Sequence, residues 1–316
     1  MREGFLLAGY YGFDNLGDEL LCQAAYGQLK DAFPQETVVV ATKGGKKTGP
    51  WPTVNRWSLF DLWSQLRKRR FLVLGGGGLL QNTTSTKSLV YYCGLIALAR
   101  WAGCRVAALG QSLGPLKGAF ARSLARWALK RCSLVTVRDD ASEALARDLG
   151  LAVERQNDFV TYLEAPSLTH ESALLINLRP WKDNALARQA CACAWDYARQ
   201  KGKKMVFLAL SPEDDRLAQE LIDEGLLPPM DRVLLEGQNW AQAFARGDEA
   251  LGMRLHFGVL SWLVGLPTSL VAYDAKVSGF AQLKGGKVFS PLSPDPQPWL
   301  HREQDDTLAP ILQKLR

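Results

Sequence analysis

Residues 71–110 read FLVLGGGGLLQNTTSTKSLVYYCGLIALARWAGCRVAALG, and the folding of this stretch decides the rest of the chain. The opening FLVL is a continuous apolar run that stops at four glycines. A polar loop follows, then the helix-length segment SLVYYCGLIALARWAG, then a second apolar run, CRVAALG. Strand, helix and strand in that order form a βαβ unit. Strands that are apolar throughout belong to a parallel sheet covered on both faces.

The same alternation runs outward in both directions. Upstream lie the strand FLLAGYYG, the helix DELLCQAAYGQLKDAF, the strand TVVVAT and the helix SLFDLWSQLRKRR, with Leu59, Leu62, Trp63 and Leu66 expected on one face. Downstream come AFARSLARWALKRC, SLVTVRD and ASEALARDLG. Around LEAPSLTHES a proline and several polar residues interrupt the pattern. It then restarts with ALLINLRPW, a helix from about Asn184, KKMVFLAL, DDRLAQELIDEG, DRVLLEG, WAQAFARG, TSLVAYD, SGFAQL and KVFS. The expected organisation is a Rossmann-like domain over residues 1–165, a second over 166–295, and a linker with a last helix over 296–316. Two doubly wound α/β domains in tandem make a cleft and hold ligands at the carboxyl ends of their strands.

Composition narrows the function classes. At 316 residues the chain is long enough for two such domains. The six cysteines form no C-x-x-C pair and no Cys/His metal spacing, and read as buried thiols. The apolar stretch from Phe257 to Tyr273 is broken at Gly265-Leu266-Pro267, short of the roughly 18–20 residues of a membrane span. The N-terminus enters a strand directly, with no secretory leader pattern, so a cytoplasmic protein is expected. Residues 1–165 carry 21 Lys and Arg against 14 Asp and Glu, whereas residues 166–316 carry 17 against 18. The positive excess therefore lies in the first half and suits an anionic partner there.

Loops after strands are where chemistry is expected. GYYGFDNLGDE offers Asp14, Asn15 and Asp18 at a helix start, but it is neither a dinucleotide nor a Walker motif. The glycine run, with Gly77 and Gly78, leads into Gln81, Asn82, Thr83, Thr84 and Ser85, a set of amides and hydroxyls suited to an anion or a sugar. Arg138 leaves a buried strand and points either at a ligand anion or at a carboxylate such as Asp139. In GMRLHFGVLSWLVGLP (residues 252–267), Arg254 and His256 sit in the first turn of a helix with no polar face. Backbone N–H groups there favour negative charge, and a histidine beside a bound anion can act as a general acid. His170 and His301 are expected at the surface.

Taken together, GYYGFDNLGDE, GGGGLLQNTTSTKS, GQSLGPL, VRDDAS, NLRPW, GMRLHFGVLSW and YDAKVSGF resemble the polysaccharide pyruvyltransferase family. The likeness is greatest to its bacterial cell-wall, S-layer-anchoring (CsaB-type) members. Phe257 departs from the small residue usual after R-L-H. The resemblance implies a GT-B-like pair of domains, a donor side in the second and an acceptor side in the first. It also implies transfer from phosphoenolpyruvate, a co-substrate, to two hydroxyls of one sugar, with no cofactor and no metal. The implied acceptor is an amino-sugar saccharide on an isoprenoid diphosphate carrier.

On this reading His256 is the acid, and Arg254, Leu255, Arg138, Lys276 and Arg179 bind the donor. Asn15, Gly77, Gly78, Gln81, Thr84 and Ser85 bind the acceptor, and Asp14, Asp18 and Asp139 are candidates for a base. RKRR (67–70), Lys117, Arg122, Arg126, Lys130 and Arg131, with Trp57, Phe60 and Trp127, could meet an anionic membrane surface. A nucleotide-sugar glycosyltransferase and a non-catalytic binder of anionic sugars are the competing readings. No helix-turn-helix, RNA-binding or zinc pattern supports nucleic-acid binding.

Overall fold

The computed structural model describes residues 2–83, 85–237, 239–288, 295–299 and 308–316. Thr84 and His301 lie outside the described residues. The chain divides into two compact units: Met1–Phe13 with Asp18–Tyr162 and Asp305–Arg316, and Asp14–Gly17 with Leu163–Gln304.

The first unit is built on seven parallel strands: β1 (Phe5–Ala8), β2 (Val38–Thr42), β3 (Thr53–Asn55), β4 (Phe71–Gly77), β5 (Arg105–Gln111), β6 (Leu134–Val137) and β7 (Glu154–Arg155). Their spatial order is β3-β2-β1-β4-β5-β6-β7. Its helices are α1 (Leu16–Ala32), α2 (Leu59–Lys68), α3 (Thr86–Trp101), α4 (Ala119–Leu129) and α5 (Asp140–Asp148). Every residue of β4 is buried, as a strand covered on both faces requires. The side chains of α2 to α5 that turn inward form one continuous core with the sheet. Local signals set the helix ends: Ser58 caps α2 by accepting from Asp61 N (3.2 Å), and Asp139 caps α5 by accepting from Ser142 N (2.8 Å).

The second unit repeats the plan with six parallel strands: β8 (Ala173–Asn177), β9 (Lys204–Ala209), β10 (Asp231–Leu234), β11 (Glu249–Gly252), β12 (Thr268–Leu270) and β13 (Lys287–Val288). Their order is β10-β9-β8-β11-β12-β13. The helices here are α6 (Ala185–Lys201), α7 (Pro212–Asp223), α8 (Trp240–Phe244), α9 (Leu255–Leu263) and α10 (Ala275–Leu283). In both sheets the winding reverses between the first and fourth strands, β1/β4 and β8/β11. The loops leaving those strands therefore mark the ligand-binding edge.

Four features differ from expectation. Strands β3, β7 and β11 were not among the expected strands, and all three pair in parallel with neighbours in their sheets. Leu59 is 73% exposed, because it opens α2 before the helix settles against the sheet, while Leu62 and Leu66 are buried. The last helix, α11 (Leu308–Gln313), belongs to the first unit, tied by Arg70 Nη2 to Arg316 O (2.8 Å) and Lys314 to Glu154 (2.7 Å). His170 is half-buried, not a plain surface residue: its Nδ1 lies 2.8 Å from Gly247 O, which requires the proton on that nitrogen.

Candidate functional site

At the β8/β11 crossover the second unit closes a buried polar cluster. Arg254, the residue before α9, aims its guanidinium at Asp214 in the first turn of α7: Nε to Oδ2 and Nη2 to Oδ1, each 2.6 Å. Its Nη2 also donates to Ser211 Oγ (2.7 Å). Asn177, at the end of β8, accepts from Arg254 N (3.1 Å) and donates through Nδ2 to Leu208 O (2.8 Å). Asp214 is fully buried and Arg254 nearly so. A carboxylate on a helix N-terminus, gripped by a planar fork, is a fixed element of structure. Arg254 was expected to bind the donor directly. In the structure its guanidinium is paired with Asp214, a partner that no local pattern announces.

That cluster sets the start of α9 and with it His256. Leu255 is buried, and His256 is half-buried on the first turn. A Cβ on Gly17 would stand 2.1 Å from His256 Nδ1 and 2.6 Å from its Cγ, so only glycine leaves room for the imidazole. Residues 14–17 belong to the second unit. Leu16 N donates to Leu210 O (2.9 Å), and Gly17 N to Asn15 Oδ1 (3.1 Å). Asn15, expected among first-domain acceptor groups, thus lies in the segment packed beside His256. Asp14 is exposed with φ 58°. The bulk of Phe257 after R-L-H is accommodated by Gly252, where a Cβ would meet the ring at 2.1 Å.

Two further expected donor residues lie on neighbouring loops. Arg179 Nη1 donates to Tyr273 OH (3.0 Å) and its guanidinium lies over the Tyr273 ring at 5.1 Å, with Trp181 packed at 4.9 Å. Lys276 occupies the first turn of α10, its Nζ 3.8 Å from Asp274.

In the first unit the glycine run bends as the sequence suggests. Gly76 and Gly77 take φ of 86° and 90°, and Gly78 is exposed with open space around it. Asp18 Oδ1 lies 3.8 Å from where a Gly77 Cβ would stand. The polar groups beyond are more occupied than expected: Ser85 caps α3 by accepting from Ser88 N, and Gln81 Oε1 accepts from Thr83 N (2.7 Å). Arg138 is paired with buried Asp158, not Asp139, and donates from Nε to Ser112 Oγ (2.8 Å). Asp139 is spent on capping and on Ser112. Arg138 thus has an internal carboxylate partner, one of its two expected readings, in Asp158 and not in Asp139.

Two residues at this edge escaped the sequence reading. Glu19 accepts from Gly12 N (2.6 Å), and burial pushes its carboxyl up to about 7; Asp18 adds to the rise, while the Gly12 N–H, Thr48 and Lys46 oppose it. Arg56 is buried, donates to Gly9 O (2.7 Å) and Tyr92 OH (3.1 Å), and is ringed by Phe13, Trp57 and Tyr91. Both hold the loop after β1 in shape. Among the described residues no group of three or more His, Cys, Asp or Glu is placed to hold a metal ion.

A family model for polysaccharide pyruvyl transferase matches residues 15–275, from Asn15 through both ligand edges to the start of α10. The chain belongs to this family. No curated protein matches the sequence. Among solved structures, the UDP-GlcNAc 2-epimerase of Methanocaldococcus jannaschii is similar at a TM-score of 0.63 and 10% identity, over 98% of this chain and 99% of that one. The UDP-GlcNAc 2-epimerase of Neisseria meningitidis is similar at 0.54 and 10%, over 98% and 90%. At such identities the likeness is one of fold. This pyruvyl transferase family member has the expected pair of Rossmann-like α/β domains of the GT-B-like class.

Proposed function

We propose that the chain transfers the pyruvyl carbons of phosphoenolpyruvate to two hydroxyls of one sugar in a cell-wall polysaccharide or its lipid-linked precursor. Phosphate is released and a cyclic ketal closes. Membership of the family supports pyruvyl transfer in general. The observation that supports the finer reading is the setting of His256: half-buried, on the first turn of α9, against buried Gly17 and at the crossover of the second sheet.

In this reading the second unit takes the donor. His256 protonates the methylene carbon, which leaves C2 electrophilic. Lys276 and Arg179 hold the carboxylate and phosphate. Arg254 acts through Asp214, positioning α9 and therefore the imidazole. The first unit takes the acceptor along Gly77, Gly78 and Gln81. Of the three carboxylates weighed as a base, Asp18 is favoured by its place beside Gly77. The first hydroxyl attacks C2 as its proton passes to Asp18, phosphate leaves carrying that proton, and the second hydroxyl closes the ring as its own proton returns to the imidazole of His256. An amino-sugar saccharide on an isoprenoid diphosphate is the acceptor we favour, met on the cytoplasmic side.

The test is thermal unfolding with phosphoenolpyruvate, UDP-sugars and inorganic phosphate, alongside turnover, on wild type, His256→Asn and Lys276→Ala. Donor at ~100 times its dissociation constant should stabilise wild type by about 2.7 kcal/mol. His256→Asn should keep that shift and lose roughly 10²–10⁴-fold in turnover, whereas Lys276→Ala should lose the shift. A response to UDP-sugars and none to phosphoenolpyruvate would overturn the reading in favour of glycosyl transfer.

A further inference from the structure

From Leu62 to Arg138 the chain carries thirteen Lys and Arg and no Asp or Glu. That span includes most of α2, all of α3 and all of α4, which pack side by side on one face of the first sheet. Their inward sides are spent on the core. Their outward sides are unusually apolar: Phe60 is 81% exposed, Trp101 78%, Leu59 73% and Phe120 66%, with Trp57, Val90 and Trp127 also exposed.

Cations and rings alternate at the carboxyl ends of these helices. Arg131 lies over Trp127 at 4.0 Å, Arg67 over Trp63 at 5.9 Å, and Trp63 packs on Trp101 at 4.9 Å. Lys68, Arg100 and Lys130 are exposed at the same ends, and Lys87 and Lys117 are exposed at the amino ends of α3 and α4. Acidic residues flank the span in the sequence: Asp61 in the first turn of α2, and the carboxylates of α5, where Asp148 meets Arg122 and Asp140 meets Arg155 (3.0 Å).

We propose that the outward face of α2, α3 and α4 is a docking surface for an anionic lipid bilayer. Several large apolar side chains in and beside a strongly basic span match a surface with negative headgroups above acyl chains. Tryptophan, with an apolar body and a polar N–H, suits the boundary between them. Basic residues supply attraction at a distance, and Leu59, Phe60 and Phe120 supply the insertion that a charged polymer alone would not reward. The inference does not rest on the transferase reading, since docking needs neither donor nor acceptor.

The experiment is co-sedimentation of the full chain with phosphatidylcholine vesicles and with equimolar phosphatidylcholine–phosphatidylglycerol vesicles, at low and high salt. The wild type should bind the anionic vesicles, release them at high salt, and ignore the neutral ones. Replacing Leu59, Phe60 and Phe120 together by Ser should abolish binding without changing thermal unfolding, because all three are exposed. Each of Lys68→Gln, Lys87→Gln and Lys130→Gln should weaken binding about fivefold, the change that about 1 kcal/mol per basic residue produces.

Absence of binding to anionic vesicles would overturn the proposal. So would sedimentation equilibrium showing a wild-type dimer that the triple variant converts to monomer, which would assign the face to a second copy. Binding of a DNA duplex that survives the triple variant, with vesicles ignored, would assign it to nucleic acid. Pyruvyl transfer measured on a soluble acceptor reports separately on the catalytic reading.

Discussion

Arg254 and Asp214, forty positions apart, form a bidentate ion pair with two contacts of 2.6 Å in the buried crossover of the second sheet. Removing one member leaves an uncompensated charge in a low-dielectric site, at a cost of about 3–5 kcal/mol. Arg254→Ala should therefore lower the denaturant midpoint sharply, and Arg254→Lys should recover only part of it, since an ammonium cannot reproduce the fork. Equal stability of Arg254→Ala and wild type in urea titration would show the pair to be dispensable. The same pair makes loss of activity in Arg254→Ala uninformative about donor contact.

Gly17→Ala would place a methyl 2.1 Å from His256 Nδ1, so the imidazole must move. A displacement of about 1 Å at a catalytic group costs on the order of 10²-fold. Turnover should fall by that order and stability should fall with it, by about 1–3 kcal/mol, because the methyl would also stand 2.9 Å from His256 Cβ, a contact that turning the ring does not relieve. Full activity in Gly17→Ala would separate His256 from the chemistry.

Burial raises the Glu19 carboxyl from an ordinary value of 4.5 to about 7. Between those values the folded chain keeps a proton that the unfolded chain has released. Its contribution to stability is thus full below pH 4.5, falls as pH rises, and is lost above pH 7, by roughly 3 kcal/mol at most. Glu19→Gln, which cannot ionise, should flatten that part of the stability–pH curve when unfolding is followed from pH 4.5 to 8. Parallel curves for variant and wild type would refute the assignment.

Gly252→Ala sets a methyl 2.1 Å from the fully buried Phe257 ring, which also packs on Phe244 at 5.3 Å. Overpacking of this kind costs about 1–3 kcal/mol. Adding Phe257→Leu should return part of the loss, a coupling that a double-mutant cycle reads directly. Strict additivity would show that the two residues do not share the space.

The alternation of elements was legible in the sequence because its signals are local. Apolar runs such as FLVL and VVVA, helix-length apolar repeats, and the glycines that end β4 each act within one or two turns of chain. The parallel order followed, since only crossover helices can join such strands. Strand β7, which reads Glu-Arg, has no apolar side chain to mark it. The site was legible as a set of loops: R-L-H and the glycine run both fall at crossover points.

The tertiary structure alone decided how those residues are spent. Arg254 reaches Asp214, Arg138 reaches Asp158, Asn15 and Gly17 join the unit of His256, and α11 returns to the first unit. Each of these pairings joins residues with no fixed spacing in the chain. Their partners are chosen by which groups are desolvated together once the sheets form, and only charges and hydrogen-bonding groups paired there are tolerated. Sequence periodicity reports what a segment buries; it does not report what meets it inside.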